Sequence, residues 1–322
     1  MKSPGSRLRV PRRQRGAALL TAMIIVTLVV TLASSMVWQQ WRAVQVEQAE
    51  RARTQAAWIL SGALDFARLI LKEDLKSGRP TALTEPWATP LAEARLSTFL
   101  AADASSNTDA GPEAFLSGSI SDAQARYNLA NLVTADGKID GAEFATLERL
   151  CLAMGMDTAL AQRIASGMRD ATNPASDASA NAPLLPQSVA QLSWLGLDAA
   201  SIAVLETVLI VLPSATPVNI NTASREVLVG AIKGLDLATA ERILQVRQRA
   251  PFKTAQAFAE QFPTVSPLSD KLGFKSSYFE VRGKLRLADR VLVERSLVHR
   301  LPNGEIQVLR RDRVASLDEV AP

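Results

Sequence analysis

The sequence predicts an α+β fold: a long N-terminal helix packed on a small antiparallel sheet, with an all-helical domain inserted between the strands. Three observations lead there. An uncharged apolar run near the N-terminus passes without Pro or Gly into an amphipathic helical stretch. Strand-like segments stand at 115–130 and again after Ser277. Between them, 131–276 is helical in pattern with few β-branched runs. Neither group of strands is numerous enough to make a stable sheet alone, so one interrupted sheet is the economical arrangement. The 322 residues leave room for two domains of roughly 150 residues each. With 48% hydrophobic and 21% charged residues, disorder throughout is excluded.

The helix comes first. Ala17 to Trp41 contains no charged residue, and about 20 helical residues span the hydrocarbon layer of a membrane. Residues 1–16 hold Lys2, Arg7, Arg9, Arg12, Arg13 and Arg15 with no acid, and the first acid after the run is Glu47. The positive-inside rule therefore places 1–16 in the cytoplasm and the body across the membrane. Three readings of the run compete: a permanent signal anchor, a secretory signal cut after Ala33, or a more specialised segment. Thr31 and Ala33 suit a secretory peptidase only loosely. Beyond it, Val44, Ala52, Ala56, Ile59, Ala63, Phe66 and Ile70 form one apolar stripe, and Glu47 and Arg51 an i,i+4 pair. Span and stripe read as one rod over 17–76.

After the rod, Pro80, Pro86 and Pro90 mark a loop; 91–101 reads as a short helix and 103–112 as another loop. Residues 115–122 and 125–130 read as strands. Helix pairs are expected at 142–154 with 159–169, and at 188–195 with 199–212, separated by the low-complexity stretch 172–183. From Tyr278 the period becomes two, giving strands at 278–281, 284–300 and 305–311 with Pro302-Asn303-Gly304 as a tight turn. The expected boundaries are a leader 1–16, a membrane-spanning part 17–37, and a first sheet part 38–130. Then come the helical insertion 131–276, with subdomains 131–214 and 215–276, and the closing strands 277–322.

Little catalytic chemistry is available. One cysteine, Cys151, and one histidine, His299, rule out an internal disulfide and leave no Cys/His zinc site or nucleophile–base–orienter set. His299 reads as a surface strand residue and Cys151 as a small buried hydrophobe. Only carboxylate chemistry stays open to an enzyme. The formal charge of +4 resides in the leader: without its six bases, 30 basic groups face 32 acidic ones. Such a body has no global attraction for nucleic acid.

The leader carries a resemblance. Arg13-Gln14-Arg15-Gly16 followed by Ala17-Ala18-Leu19-Leu20 resembles a type IV prepilin leader. That implies cleavage between Gly16 and Ala17 by prepilin peptidase and methylation of the new N-terminus at Ala17. Most pilins carry a glutamate at the fifth mature position, where this chain has Thr21. Among type II secretion pseudopilins, the general secretion pathway protein K family is the one that lacks it. Ile120-Ser121-Asp122, Arg126-Tyr127-Asn128-Leu129 and Asn131-Leu132 are similar to that family's pattern. The resemblance implies the pseudopilin fold with SAM-like inserted subdomains. It implies a minor pseudopilin at the tip of the pseudopilus, supporting export across the outer membrane without catalysis. It further implies a single-pass inner-membrane protein with its N-terminus cytoplasmic and its body periplasmic. The implied partners are other minor pseudopilins in a tip complex, the major pseudopilin and prepilin peptidase. Ala17, Ala18, Ala22 and Ala33 suit close approach of neighbouring rods. No cofactor is required. Calcium is known in some members, but Asp136-Gly137-Lys138-Ile139-Asp140 fails as an EF-hand loop, with Lys138 at position three and Leu147 at position twelve. No ligand set can be mapped.

A second motif supports a different class. Val218–Ser224, Ile232–Asp236, Ala240–Leu244, Arg247 and Pro251-Phe252 closely resemble a helix-hairpin-helix module, as in membrane-anchored DNA-uptake receptors. Residues 215–275 hold eight basic and five acidic groups. In DNA-binding versions a Gly-hydrophobic-Gly hairpin presents backbone N–H groups to a phosphate. Here the hairpin is Gly234-Leu235-Asp236, and its carboxylate would repel a phosphate and cap a helix beginning near Leu237. Strands after 277 also count against a receptor that normally ends at the motif. Nucleic acid is therefore the alternative partner, through 215–275.

Overall fold

The computed structural model describes residues 17–96, 114–172, 183–265, 271–287 and 290–314. The chain divides into two compact units, Met1–Trp58 and Ile59–Pro322. In its described part the first unit is helix alone, the start of α1 (Ala17–Lys76, 60 residues). Arg51 pairs with Glu47 on its exposed surface, as their spacing predicts.

In the second unit, the end of α1 buries Leu60, Leu64, Ala67 and Leu71. The expected stripe is right at Ala56, which is buried, but from Ile59 onward it sits one residue away: Ile59, Ala63 and Ile70 are half-buried flanks, and Phe66 is 56% exposed. The two faces carry comparable apolar area, and the one chosen is that whose Leu64, Ala67 and Leu71 pack in one cluster with Trp87, Phe279 and Val298.

Five strands form the main sheet in the spatial order β1 (Leu91–Arg95), β2 (Ala114–Asp122), β7 (Tyr278–Leu287), β8 (Arg290–Arg300) and β9 (Ile306–Val314). All neighbours are antiparallel. Four two-residue strands lie between β2 and β7 in the chain: β3 (Tyr127–Asn128) beside β4 (Leu209–Ile210), and β5 (Val218–Asn219) beside β6 (Leu272–Gly273), both pairs parallel. The helices are α2 (Gly141–Ala153), α3 (Thr158–Thr172), α4 (Ala199–Leu205), α5 (Arg225–Ala231), α6 (Leu237–Arg249) and α7 (Ala255–Gln261), with a 3-10 helix at Val189–Leu195.

Four local expectations are corrected. Leu91–Arg95 is a strand, not the start of a helix, because the edge of β2 offers it a ladder that outweighs helix propensity; 97–101 lie outside the described residues. The run 284–300 is two strands, β7 and β8, whose register pairs Leu287 with Arg290. Ala288-Asp289 carries no glycine, so nothing interrupts the alternation. The helix expected over 199–212 ends at Leu205, and the β-branched Val208, Ile210 and Val211 favour the short strand that follows. The strand expected over 125–130 shrinks to Tyr127–Asn128, flanked by 3-10 turns.

The sheet encloses Leu64, Ala67, Leu71, Trp87, Phe279, Val281, Val298 and Ile306, with Trp87 meeting Phe279 edge-on at 5.3 Å. The helical body has one continuous core, in which Leu147, Leu150 and Ile164 from α2 and α3 share a cluster with Leu228, Ile243 and Phe252. Tyr127 and Leu129 belong to it, so this body takes its first residues before Asn131. Helices α2 and α5 approach closely at Gly230: a Cβ there would lie 2.7 Å from Leu150 Cδ1, and Arg149 Nε donates to its carbonyl at 2.9 Å.

Strands β2 and β7 pair from Ala114↔Leu287 to Asp122↔Phe279. The chain thus leaves the sheet at Asp122 and returns beside it at Tyr278. Asp122 is buried at this junction and accepts four hydrogen bonds: Ser276 Oγ and Thr222 Oγ1 at 2.6 Å, Asn219 Nδ2 at 2.9 Å, and the Gln124 N–H at 2.8 Å. Gln124 Oε1 accepts the Ser277 N–H, and its amide donates to the Pro217 carbonyl. The network continues into the helix end. Arg300 donates to Asp74 Oδ2 at 2.5 Å, to the Ser276 carbonyl at 2.8 Å and to Thr81 Oγ1 at 3.2 Å. Its guanidinium also lies over the Phe279 ring at 4.7 Å. Every partner of Asp122 is a donor, so this carboxylate is specified as an anion. Burial nevertheless raises its pKa, against the hydrogen bonds that lower it.

Asp122→Asn would turn an amide donor towards the Asn219 amide. We expect a loss of about 1–3 kcal/mol in urea unfolding of the full chain in detergent, followed by the fluorescence of buried Trp87. Because the native state holds the Asp122 proton more tightly than the unfolded chain, its contribution falls as pH rises from the ordinary carboxylate range to its raised value. It is level above that window, and Asp122→Asn should abolish this slope. Asp74→Ala leaves the Arg300 cation buried without its anion and should cost about 3–5 kcal/mol. Adding Arg300→Met should recover part of that loss; a purely additive double variant would contradict the pairing.

Candidate functional site

The chemistry of the first unit is that of its surface. From Ala17 the helix exposes Leu19, Leu20, Met23, Ile24, Ile25, Val26, Leu28, Val29, Val30 and Leu32, each more than half accessible. It is long and apolar enough to cross a membrane, which fits a single-pass anchor. Four of its hydroxyls find acceptors within the helix itself. Thr21 Oγ1 donates back to the Ala17 and Ala18 carbonyls at 3.1 and 3.0 Å. Thr27, Thr31 and Ser35 do the same to Ile24, Leu28 and Leu32. A glutamate at position 21 would need a cation from elsewhere, whereas the threonine hydroxyl is satisfied within its own turn. Ala17 opens the helix, and Gly16 lies outside the described residues.

The hairpin before α6 is built for structure. Gly234 has φ +79°, a conformation that a side chain would strain. Leu235 is buried in the helical core. Asp236 is the N-cap of α6: its carboxylate accepts the Thr239 N–H at 2.8 Å and the Thr239 hydroxyl at 2.9 Å. These bonds, the backbone one first, lower its pKa. A fixed carboxylate thus occupies the helix N-terminus where a phosphate would have to sit, and the DNA-receptor alternative finds no support. Arg247, the most buried base of this module, donates to the Ile220 carbonyl at 2.7 Å; burial lowers its pKa to about 10.

The acidic loop before α2 makes no cation cage. Asp136 accepts the Thr134 hydroxyl and pairs with Lys138, while Asp140 turns away to cap α2 through the Ala142 and Glu143 N–H groups. Among the described residues no group of three or more His, Cys, Asp or Glu side chains converges to hold a metal.

His299 stacks flat on Tyr278, with centroids 4.2 Å apart. Cys151 is fully buried in the helical core, and burial raises its thiol to about 11, which keeps it inert. Sequence reasoning missed the residues that mount the helical body on the sheet: Asp74, Thr81, Ser276 and Arg300 belong to no motif. Asp122 and Asn219 lie within quoted motifs, but nothing in their spacing tells that they touch across 97 residues.

Comparisons with known proteins agree on one family. Two family models described as type II secretion system (T2SS), protein K, match residues 125–214 and 218–275. The type II secretion system protein K of Pseudomonas aeruginosa is 27% identical, the match covering 94% of this chain and 93% of that protein. The protein K of Pectobacterium carotovorum is also 27% identical, over 93% of this chain and 96% of its own length. Among solved structures, a chain of the GspK-GspI-GspJ complex from the type 2 secretion system of enterotoxigenic Escherichia coli matches with a TM-score of 0.62 at 20% identity. That match covers 84% of this chain and 99% of the other. Family models, relatives matched over nearly their whole length, and the fold all point to the type II secretion system protein K family.

Proposed function

We propose that the protein stands at the tip of a type II secretion pseudopilus and supports protein export across the outer membrane. The observation that carries this reading is the excursion between β2 and β7. A sheet-and-helix frame of pilin type is interrupted by a helical body that hangs on one end of a strand pair and is locked there by Asp122 and Gln124. Such a body would block the stacking of another subunit above it, which suits a terminal position. The mature protein begins at Ala17, cut from Gly16 by prepilin peptidase on the cytoplasmic side and methylated there, with the body in the periplasm.

Its partners are minor pseudopilins of the GspI and GspJ kind, those in the solved complex that this fold resembles, and the major pseudopilin below them. Association of stems in lipid rests on packing, since apolar surface gains little by leaving lipid for protein. Ala17, Ala18 and Ala22 permit close approach, and Thr21 asks for no ion pair. The role is assembly, and it asks no cofactor of this chain.

Mass spectrometry of the mature protein from cells should find N-methylated Ala17 as the first residue when prepilin peptidase is present, and an intact leader when it is absent. A start at Ser34 in either strain would overturn the proposal. Replacing 124–276 by a short turn between β2 and β7 should leave leader cleavage and membrane insertion intact while reducing secretion at least tenfold. Undiminished secretion would contradict the role given to the helical body.

A further inference from the structure

We infer that Trp38, Trp41 and Arg42 form a lipid-headgroup collar that fixes the depth of the stem at the outer face of the inner membrane. The inference rests on the membrane-anchored reading above and adds a ligand class to it. The apolar run from Ala17 to Val37 is about 30 Å long at 1.5 Å per residue, the thickness of the hydrocarbon layer. Directly at its end come two tryptophans three residues apart, hence on one face of the helix, 56% and 60% exposed. Arg42 is the first charged residue after the run, and its guanidinium lies over the Trp38 ring at 4.1 Å. It makes no ion pair among the described residues, although Arg51 and Arg53 further along each have a glutamate.

An aromatic body with a polar edge prefers the interface between hydrocarbon and water. A guanidinium free of carboxylates and held against such a ring presents its N–H fork to a phosphate. Gln39 and Gln40 complete a belt with no aliphatic side chain from Trp38 to Arg42. The same helix has a control in Trp58, 75% exposed but about 30 Å beyond Trp38 along the helix, too far to touch the same interface. The occupant is thus a glycerophospholipid headgroup, recognised through phosphate and the glycerol region.

The test uses the full chain in vesicles of phosphatidylethanolamine and phosphatidylglycerol, with nitroxide labels on single cysteines at positions 34, 39 and 45 and Cys151→Ala as background. Collision with oxygen and with a water-soluble nickel chelate reads depth. Position 39 should lie at phosphate level, 34 within the hydrocarbon and 45 in water. Combining Trp38→Leu, Trp41→Leu and Arg42→Gln should shift all three labels by roughly one helical turn, about 5 Å. Trp38→Tyr with Trp41→Tyr should restore the original depth. Identical profiles for the leucine and parent chains would overturn the collar, as would a tyrosine variant that shifts like the leucine one. A collar effect that arises only when other pseudopilins share the vesicle would assign these residues to a protein partner instead. Release of the parent chain by alkaline carbonate would overturn the anchored reading itself, a result distinct from an unmoved profile in a chain that stays in the membrane.

Discussion

The Asp122 carboxylate sits where the chain departs from the sheet, and the groups that satisfy it come from the other end of the excursion and from its middle. Ser276 belongs to the return strand's approach, Asn219 and Thr222 to the second half of the helical body, and Gln124 to the turn that begins the departure. An anion buried without these donors would be intolerable. The carboxylate is therefore stable only when exit, return and helical body are all in place. Arg300 and Asp74 extend the same logic to the end of the long helix, through Thr81 and Ser276. Apolar packing alone would let a helical body slide on a sheet, because it is not directional. The polar cluster makes one arrangement the only one with every group satisfied.

This constraint explains how a chain whose strands are separated by more than 150 residues forms a single sheet. Pairing of β2 with β7 closes a long loop, and loop closure grows only slowly in cost with length. The helical body lowers that cost further by folding around its own core, from Tyr127 to Phe262, which brings both of its ends to one place. Ala123, Ile210, Leu212, Tyr278 and Leu297 then give the two parts a small apolar seam beside the polar one.

Patterns with a period were legible in the sequence. The rod, the amphipathic pairs α2 and α3, the closing strands and the cap at Asp236 all follow from local spacing and side-chain chemistry. What failed were features decided by a neighbour. Leu91–Arg95 has helical propensity and became a strand because β2 had an edge to fill. From Leu60 onward the rod's buried face lies one position from the expected stripe, because a period cannot choose between two adjacent apolar faces and packing against Trp87, Phe279 and Val298 can. The stem's character was plain from composition, and the geometry added that the hydroxyls of Thr21, Thr27, Thr31 and Ser35 are satisfied within their own turns. The junction was the least legible part. A lone Asp, an Asn in a short strand and a distant Ser carry no periodic signal, and only the fold brings them together.

Coupling of the helical body to the sheet is most directly measured by native-state hydrogen exchange of the full chain in detergent. The account predicts that the Gln124, Ser276 and Ser277 amides exchange with the free energy of the β2 and β7 core amides, through one shared global opening. It also predicts that the α6 amides around Ile243 join that same transition. Exchange of the helical body through its own opening, well below the free energy of the sheet and with the junction amides unprotected, would contradict it.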